Sequence, residues 1–251
     1  MHHFVLLFFA ALGAGFLNGV AGGGSFLTFP ALVFTGVPGV VANASSTVAL
    51  FPGTCMSAWT FRENFQGFTR VSFAAMFAVS VAGGITGALL LLKLPAASFD
   101  IVVPWLLLVA TIVFYFGPRL ALFVQERLRV GPTLVLICQF LIAIYGGYFG
   151  GAVGLIMLAF WSLFGLGDIK SMSATRMVLG STMNGVAVIC FIVAGTVLWP
   201  QTLLMLVAAV IGGYIGARLA MRLNAEHLRA AISVVNVAVT LLFFYRAYGR
   251  G

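Results

Sequence analysis

Long apolar runs separated by short polar stretches cover almost the whole chain. Most of the runs approach the roughly 20 residues that a helix needs to cross the hydrocarbon core of a bilayer. Two of them are clearly shorter, and each follows a longer run after a cluster of glycines. The pattern predicts helices near residues 4–21, 25–36, 40–61, 71–92, 101–117, 133–151, 154–166, 174–195, 200–217 and 229–246.

The composition places these helices in a membrane. Only 7% of the 251 residues are charged, 62% are hydrophobic and the mean hydropathy is +1.15. A soluble domain carries about 25% charged residues, so this chain could not cover a surface that faces water. We therefore predict an all-α polytopic membrane protein without a separate soluble domain.

The chain also repeats itself. A shift of about 130 residues superposes an ordered series of glycines and small residues, a signal that defines internal repeats. We predict two membrane repeats of four to five helical segments each, at 1–118 and 132–251, joined by a basic cytoplasmic linker at 119–131. The matched pairs include Gly15 with Gly147, Gly19 with Gly151, Gly22 with Gly154, Gly83 with Gly212 and Gly87 with Gly216.

The distribution of Lys and Arg decides how the repeats are oriented. If the segments 4–36 and 133–166 each cross once, the cations divide 7 to 6 between the two sides, against the positive-inside rule. If each segment is a glycine-broken hairpin that returns to its own side, the division becomes 10 to 3. The second interpretation inverts one repeat relative to the other and places both termini outside the cytoplasm.

The glycine block of the first hairpin is the densest candidate for a binding site. Consecutive glycines in a span leave backbone polar groups exposed, which is tolerable only against protein or water. The following half-helix would direct its N-terminal amides toward an anion, as transporters do at midplane sites. For Gly83-x-x-x-Gly87 and Gly212-x-x-x-Gly216 we favour close helix packing instead. The candidate substrate-binding residues in the block are Asn18, Gly22, Gly23, Gly24 and Ser25.

Polar residues near the start of the third and eighth predicted segments extend this site. Their amide and hydroxyl groups would face each other across a pseudo-twofold axis. Capping of a helix N-terminus is an equally good explanation of the first group. The candidates are Asn43, Ser45, Ser46 and Thr47 in the first repeat and Thr175, Arg176 and Asn184 in the second.

Arg176 is the most specific of these residues. A cation inside an apolar segment is costly enough to indicate a function by default, and a guanidinium suits a planar or tetrahedral oxyanion. The alternative is that Arg176 extends toward the lipid headgroups, since Lys170 lies just before it.

Other residue types limit the classes of function. All five carboxylates fall at predicted segment edges, so a proton relay through a span has no candidate. The three histidines lie near termini or loops, and metal-protease and P-loop motifs are absent from the sequence. We predict neither an enzyme nor a bound cofactor. The net charge of +8 is attributed to topology and headgroup contact, and nucleic acid is not expected as a partner.

Several motifs occur in a characteristic order along the chain. They are the glycine block followed by Phe-Pro-Ala-Leu, Ala42-Asn-Ala-Ser-Ser-Thr47, Ser173-Ala-Thr-Arg176 and Gly212-Gly-Tyr-Ile-Gly-Ala-Arg218. These motifs are similar to those of the TauE/SafE family of sulfite exporters, which belong to the 4-toluene sulfonate uptake permease-like (TSUP) transporters. The resemblance covers about residues 10–246 and implies a bacterial inner-membrane permease for small sulfur oxyanions or sulfonates. One departure is that the second hairpin reads Gly150-Gly151-Ala-Val-Gly154, without a full glycine run.

The sequence supports one main prediction and leaves one alternative. The prediction is an exporter of a small sulfur-containing anion, working by alternating access at a midplane site, in the bacterial inner membrane with both termini periplasmic. Its expected partners are the anion and membrane lipids, and the sequence is compatible with a homodimer. The alternative is an intramembrane enzyme or assembly factor whose polar cleft transports nothing.

Overall fold

In a computed structural model, the described residues form ten α-helices and no strand. The description covers residues 2–20, 24–61, 68, 70–123, 130–166, 169–220 and 225–248. Each predicted apolar run corresponds to one helix, so the all-α fold class is confirmed. The helices are α1 (His2–Val20), α2 (Ser25–Phe34), α3 (Gly39–Phe61), α4 (Phe73–Lys93), α5 (Ala96–Phe123), α6 (Pro132–Tyr148), α7 (Val153–Leu163), α8 (Ile169–Val193), α9 (Trp199–Ala220) and α10 (Ala225–Tyr248).

Three of the helices end on a glycine with positive φ. Gly36 follows α2, Gly165 follows α7 and Gly195 follows α8, with φ of 90°, 60° and 67°. In each case the next residue donates its N–H back across the last turn, for example Val37 to the Leu32 carbonyl at 3.2 Å. This is the Schellman motif, and it satisfies the carbonyls that a helix end would otherwise leave exposed in an apolar medium.

The lengths of the helices agree with a bundle embedded in a membrane. The helical stretches 73–93, 96–113 and 171–193 are long and apolar enough to span a bilayer. In contrast, α2 and α7 have 10 and 11 residues. At about 1.5 Å per residue they reach roughly half of the 30 Å hydrocarbon core.

The two short helices are the second arms of hairpins. Helix α2 packs on α1, and α7 packs on α6. The break in the second hairpin lies at residues 149–152, as predicted from the glycines there. In the first hairpin Gly24 is in a turn before α2, whereas residues 21–23 lie outside the described part of the chain.

The junction between the predicted repeats is more helical than the sequence indicated. Helix α5 continues to Phe123, five residues into the segment predicted as a linker, and α6 begins at Pro132. The rise in charge after Pro118 suggested an earlier end, but charge alone does not stop a helix that has left the apolar layer. Residues 124–129 of the linker lie outside the described residues.

Glycines let two helix pairs approach backbone to backbone. Helix α1 packs on α9, and α4 packs on α6. A Cβ placed on Gly15 would overlap the carbonyl of Ala209, and one on Gly87 would overlap the carbonyl of Ile144. Packing is therefore confirmed as a role of the predicted glycine motifs at Gly83, Gly87 and Gly212, while the surroundings of Gly216 lie outside the description.

A cluster of phenylalanine rings joins the first short helix to the tip of the second hairpin. The ring of Phe29 in α2 lies 5.8 Å from that of Phe149 at the tip. It also contacts Phe99 of α5 and Phe243 of α10, at 6.1 and 5.5 Å between ring centroids. Rings at these distances pack tightly, so α2 and the tip are held together inside the bundle.

Candidate functional site

A cavity of about 120 Å³ lies where the two hairpins meet α3 and α8. A volume of this size accommodates several water molecules or one small solute. The later half of α3 and the earlier half of α8 form two walls, and the tip of the second hairpin forms a third. The lining residues are Asn18, Ser25, Thr47, Leu50, Gly53, Thr54, Ser57, Phe149, Gly150, Ala152, Val153, Gly154, Leu155, Arg176, Met177, Gly180, Ser181 and Asn184.

Arg176 brings positive charge to the cavity wall. It is half-buried in the second turn of α8 and is the one charged side chain among the described residues that line the cavity. A Cβ placed on Gly154, at the start of α7, would lie 3.0 Å from Nη1 of Arg176. The guanidinium therefore packs against the N-terminal turn of α7, whose helix dipole adds positive potential to the same place.

The tip of the second hairpin is held in an unusual backbone conformation. Gly150 has φ of 78°, and Ala152 has φ of 56°, which L-residues adopt at a cost of about 1–2 kcal/mol. The Tyr145 hydroxyl donates to the carbonyl of Gly151 at 2.7 Å, which helps to fix the loop. Ala152 precedes α7, and its side chain makes no capping hydrogen bond. The electropositive N-terminus of α7 therefore lies next to the cavity without a side-chain cap at this residue.

The first hairpin places two of the predicted substrate-binding residues, Asn18 and Ser25, in the cavity lining, whereas the amide of Gly24 makes a bond within the hairpin. The N–H of Gly24 donates to Oδ1 of Asn18 at 2.8 Å. A Cβ on Gly24 would lie 2.9 Å from the Asn18 side chain, so only glycine allows this close approach. The amide of Gly24 is thus already hydrogen-bonded to Asn18 within the first hairpin. Gly22 and Gly23 lie outside the described residues.

Helices α3 and α8 bring further predicted residues together at the cavity. Thr47 lines it from α3, and Asn184 lines it from α8. The Ser181 hydroxyl donates to the carbonyl of Thr54 at 2.8 Å, which ties the two helices together beside the cavity. Hydroxyl, amide and guanidinium donors thereby converge on one space.

Four other predicted residues make hydrogen bonds outside the cavity lining. Asn43 donates from Nδ2 to the Tyr148 carbonyl at 3.0 Å. Ser45 accepts the N–H of Leu198 at 3.0 Å. The hydroxyls of Ser46 and Thr28 share a bond of 2.6 Å. Thr175 donates to the carbonyl of Ser171 at 2.9 Å.

None of these four side chains lines the cavity in the described structure, and each makes a hydrogen bond within the chain. Their role in binding substrate stays a prediction. The bond of Asn43 connects the start of α3 to the C-terminal end of α6, and the bond of Ser45 connects it to the residue before α9.

Sequence reasoning missed part of the α3 wall, namely Gly53, Thr54 and Ser57. Pro52 inside an apolar run was the available signal, since proline removes a backbone donor and disturbs a helix. The helical spacing from Thr47 through Leu50 to Thr54 would then have continued the lining along one face.

The described residues contain no cluster of His, Cys, Asp or Glu suited to a metal ion. The lining supplies neutral donors and one guanidinium, a set that matches an oxyanion better than a cation. Broken helices, a polar cavity and a cation in an apolar helix are features that helical membrane transporters share.

Comparison with known proteins specifies this class. The family model for the sulfite exporter TauE/SafE matches residues 7–243, and the chain belongs to this family. It is accordingly a membrane transporter. None of the solved structures matches the chain.

Relatives are similar over nearly their whole length. A probable membrane transporter protein, ORF9, from Sinorhizobium is 31% identical over an alignment of 247 positions, which covers 96% of this chain and 92% of the relative. The probable membrane transporter protein YfcA of Escherichia coli K12 is 28% identical, over 98% of this chain and 91% of its own. A probable membrane transporter protein of Haemophilus influenzae is 27% identical, over 96% and 94%.

Proposed function

We propose that this protein exports a small sulfur-containing anion, such as sulfite, thiosulfate or an organosulfonate, from the bacterial cytoplasm across the inner membrane. The observation that carries the proposal is the position of Arg176, which lines a cavity among hydroxyl and amide groups and packs against the start of α7. A guanidinium beside hydroxyl and amide donors suits a planar or tetrahedral oxyanion, and the adjacent helix N-terminus favours negative charge at the same place. The name of the family, sulfite exporter TauE/SafE, supports the choice of anion.

Transport is favoured over catalysis in the same cavity. The described lining contains no histidine, cysteine, lysine or carboxylate, so a general base or an activated nucleophile has no candidate there. The relatives are all named as transporters. The alternative of an intramembrane enzyme or assembly factor therefore lacks a supporting observation.

We further propose that the two halves are inverted repeats. Helices α5 and α10 correspond to each other in the two halves, and they pack antiparallel. Trp105 bonds Tyr248 at 3.0 Å, whereas further along α5 the Thr111 and Thr240 hydroxyls bond at 3.2 Å. These two threonines lie 129 positions apart, the same shift that matches Gly83 with Gly212.

A second pair of corresponding helices supports the same arrangement. Ser181 of α8 bonds Thr54 of α3, while Gly185, one turn later, faces the ring of Phe51. As the numbering rises in α8 it falls in α3, so these helices also run antiparallel. Corresponding helices that run in opposite directions are what inverted repeats require.

The inverted arrangement predicts the side of the membrane to which the cavity lies nearer. The lining runs from Thr47 to Ser57 along α3, toward the end of that helix, where Arg62 and Arg70 follow. This is the basic side, which the positive-inside rule assigns to the cytoplasm. Because the interior is negative, an anion leaves with a gain of about 2.3 kcal/mol per charge per 100 mV. Export driven by this potential needs no coupling ion.

Topology can be tested with reporters fused to the chain. Alkaline phosphatase fused after Tyr248 is expected to be active, because this end would be periplasmic, and green fluorescent protein at the same point to be dark. Fusions after Phe123 serve as the matched control and should show the opposite result. A fluorescent, phosphatase-negative C-terminal fusion would contradict the inverted topology.

The substrate is tested by flux in proteoliposomes. Purified protein is expected to release trapped sulfite, thiosulfate or methanesulfonate faster than protein-free vesicles, with acceleration by a potential that draws anions outward. Chloride and phosphate, loaded separately, report leakage and selectivity. Sealed vesicles that show no protein-dependent flux for any sulfur anion would exclude the proposal.

A further inference from the structure

A fully buried glutamine joins three helices next to the second hairpin. Gln139 of α6 donates from Nε2 to the hydroxyl of Ser80 in α4 at 2.9 Å. Its Oε1 accepts the indole N–H of Trp161 in α7 at 3.2 Å. All three side chains are at most 1% exposed, and the apolar surroundings strengthen such bonds and make their loss costly.

The first half of the chain has no such residue at the corresponding position. The shift of 132 that superposes Gly15 on Gly147 places Gln139 on Leu7. Leu7 is buried to the same degree, in an apolar cluster with α9. Leucine therefore satisfies the packing demand of this position, and the amide of Gln139 must have another purpose.

Contacts lead from Gln139 to the cavity in two steps. Its Nε2 lies 3.5 Å from Sδ of Met157, in the middle of α7. The Cε of Met157 lies 3.7 Å from a Cβ placed on Gly180, which lines the cavity one turn after Arg176. Gly154, one turn before Met157, packs against the Arg176 guanidinium itself.

We propose that Gln139 is a positioning residue for the anion site. By bonding α4 through Ser80 and α7 through Trp161, it fixes where the N-terminal turn of α7 lies relative to Arg176. The inference rests on the proposed function, in which Arg176 binds the anion. It predicts that loss of the Gln139 amide weakens anion binding from a distance, through Arg176.

A double-mutant cycle on flux tests this coupling. Gln139→Leu, which copies the residue of the first repeat, is expected to raise the half-saturating sulfite concentration about tenfold, while the maximal rate changes less than twofold. In an Arg176→Lys background, where the guanidinium fork is already lost, the same substitution should have less than a twofold effect. A merely structural role would instead give equal effects in both backgrounds.

Asn236→Leu is the matched control, because Asn236 is a buried amide in α10 that does not line the cavity. It should leave the half-saturating concentration unchanged. If Gln139→Leu does not fold, Trp161→Phe, which removes only one donor to Gln139, should still raise that concentration about threefold.

The outcomes separate the two proposals. Wild-type flux with an unchanged half-saturating concentration in folded Gln139→Leu and Trp161→Phe would overturn the positioning role alone. Equal effects in both backgrounds would do the same. Absence of wild-type flux for every sulfur anion would overturn the proposed function, and the inference with it.

Discussion

Arg176→Gln is expected to lower the flux of sulfite or a sulfonate at low substrate concentration by about 10- to 100-fold. The substitution keeps two hydrogen-bonding groups but removes the charge that faces the cavity. A hydrogen bond to a charged group contributes about 1.5–3 kcal/mol, and each 1.4 kcal/mol corresponds to a factor of ten. Flux in proteoliposomes and binding of the same anion to purified protein both measure the loss.

Arg70→Gln is the matched control. Arg70 is exposed and donates to the Phe164 carbonyl at 3.4 Å, away from the cavity lining. Its replacement removes the same charge from the same protein and should change flux less than twofold. Arg176→Lys should fall between wild type and Arg176→Gln, since it keeps the charge and loses the fork. Equal flux for Arg176→Gln and Arg70→Gln would show that Arg176 does not bind the anion.

Gly15→Ala is expected to destabilise the whole bundle. Alanine in a helix gains about 1 kcal/mol over glycine from its intrinsic propensity. At Gly15, however, the new Cβ would overlap the backbone of Ala209, and backbone cannot rotate away. Separation of α1 from α9 should outweigh the gain, with a net loss of about 2 kcal/mol. For a chain of this size, that loss lowers the melting temperature by about 4–8 °C.

The comparison for this prediction is Gly53→Ala. Gly53 is also inside a helix, but a Cβ there meets nothing within 4 Å. Its melting temperature in detergent should stay equal to wild type or rise, and Gly147→Ala should behave like Gly15→Ala because Gly147 meets the backbone of Gly84. Wild-type stability of Gly15→Ala would show that α1 and α9 do not approach closely in the folded protein.

Helix number, helix positions and the broken hairpins could be predicted because each follows from a local property. An apolar run of bilayer length has one stable solution in lipid, and a glycine cluster between two runs interrupts it. The end of α5 at Phe123 could not be predicted in this way. Beyond the apolar layer a helix continues or stops according to its packing, which the composition of 119–131 does not encode.

The direction of individual side chains was harder to predict. Residues 43–47 cover more than one helical turn, so they cannot all face one cavity. The structure directs Thr47 to the cavity and uses Asn43, Ser45 and Ser46 to bond other elements. Which face of α3 points inward depends on how it packs against α8 and α9, and these contacts are distant in sequence.

The sequence singles out Arg176 and Asn18 because a charge or an amide is costly in an apolar segment without a polar environment. A cation or an amide in a span must have a polar environment, whereas a threonine can satisfy itself locally. Thr54 does so by donating to the Phe51 carbonyl at 2.8 Å. Its sequence context therefore carries no sign of the cavity it lines.

The ring of Phe149 belongs both to the cavity lining and to the aromatic cluster around Phe29. Deepening the cavity at this point would require rings from α2 and the tip to repack together, because close-packed aromatics leave no free volume for one of them to retreat into. Enlargement by small side-chain rotations is thus a poor route through the protein. Under the proposed function, a solute that enters from the C-terminal end of α3 is expected to wait until whole helices shift, and such movements take microseconds to milliseconds. The rate of passage would then depend on how readily the aromatic cluster around Phe29 repacks, and not on the width of an open pore.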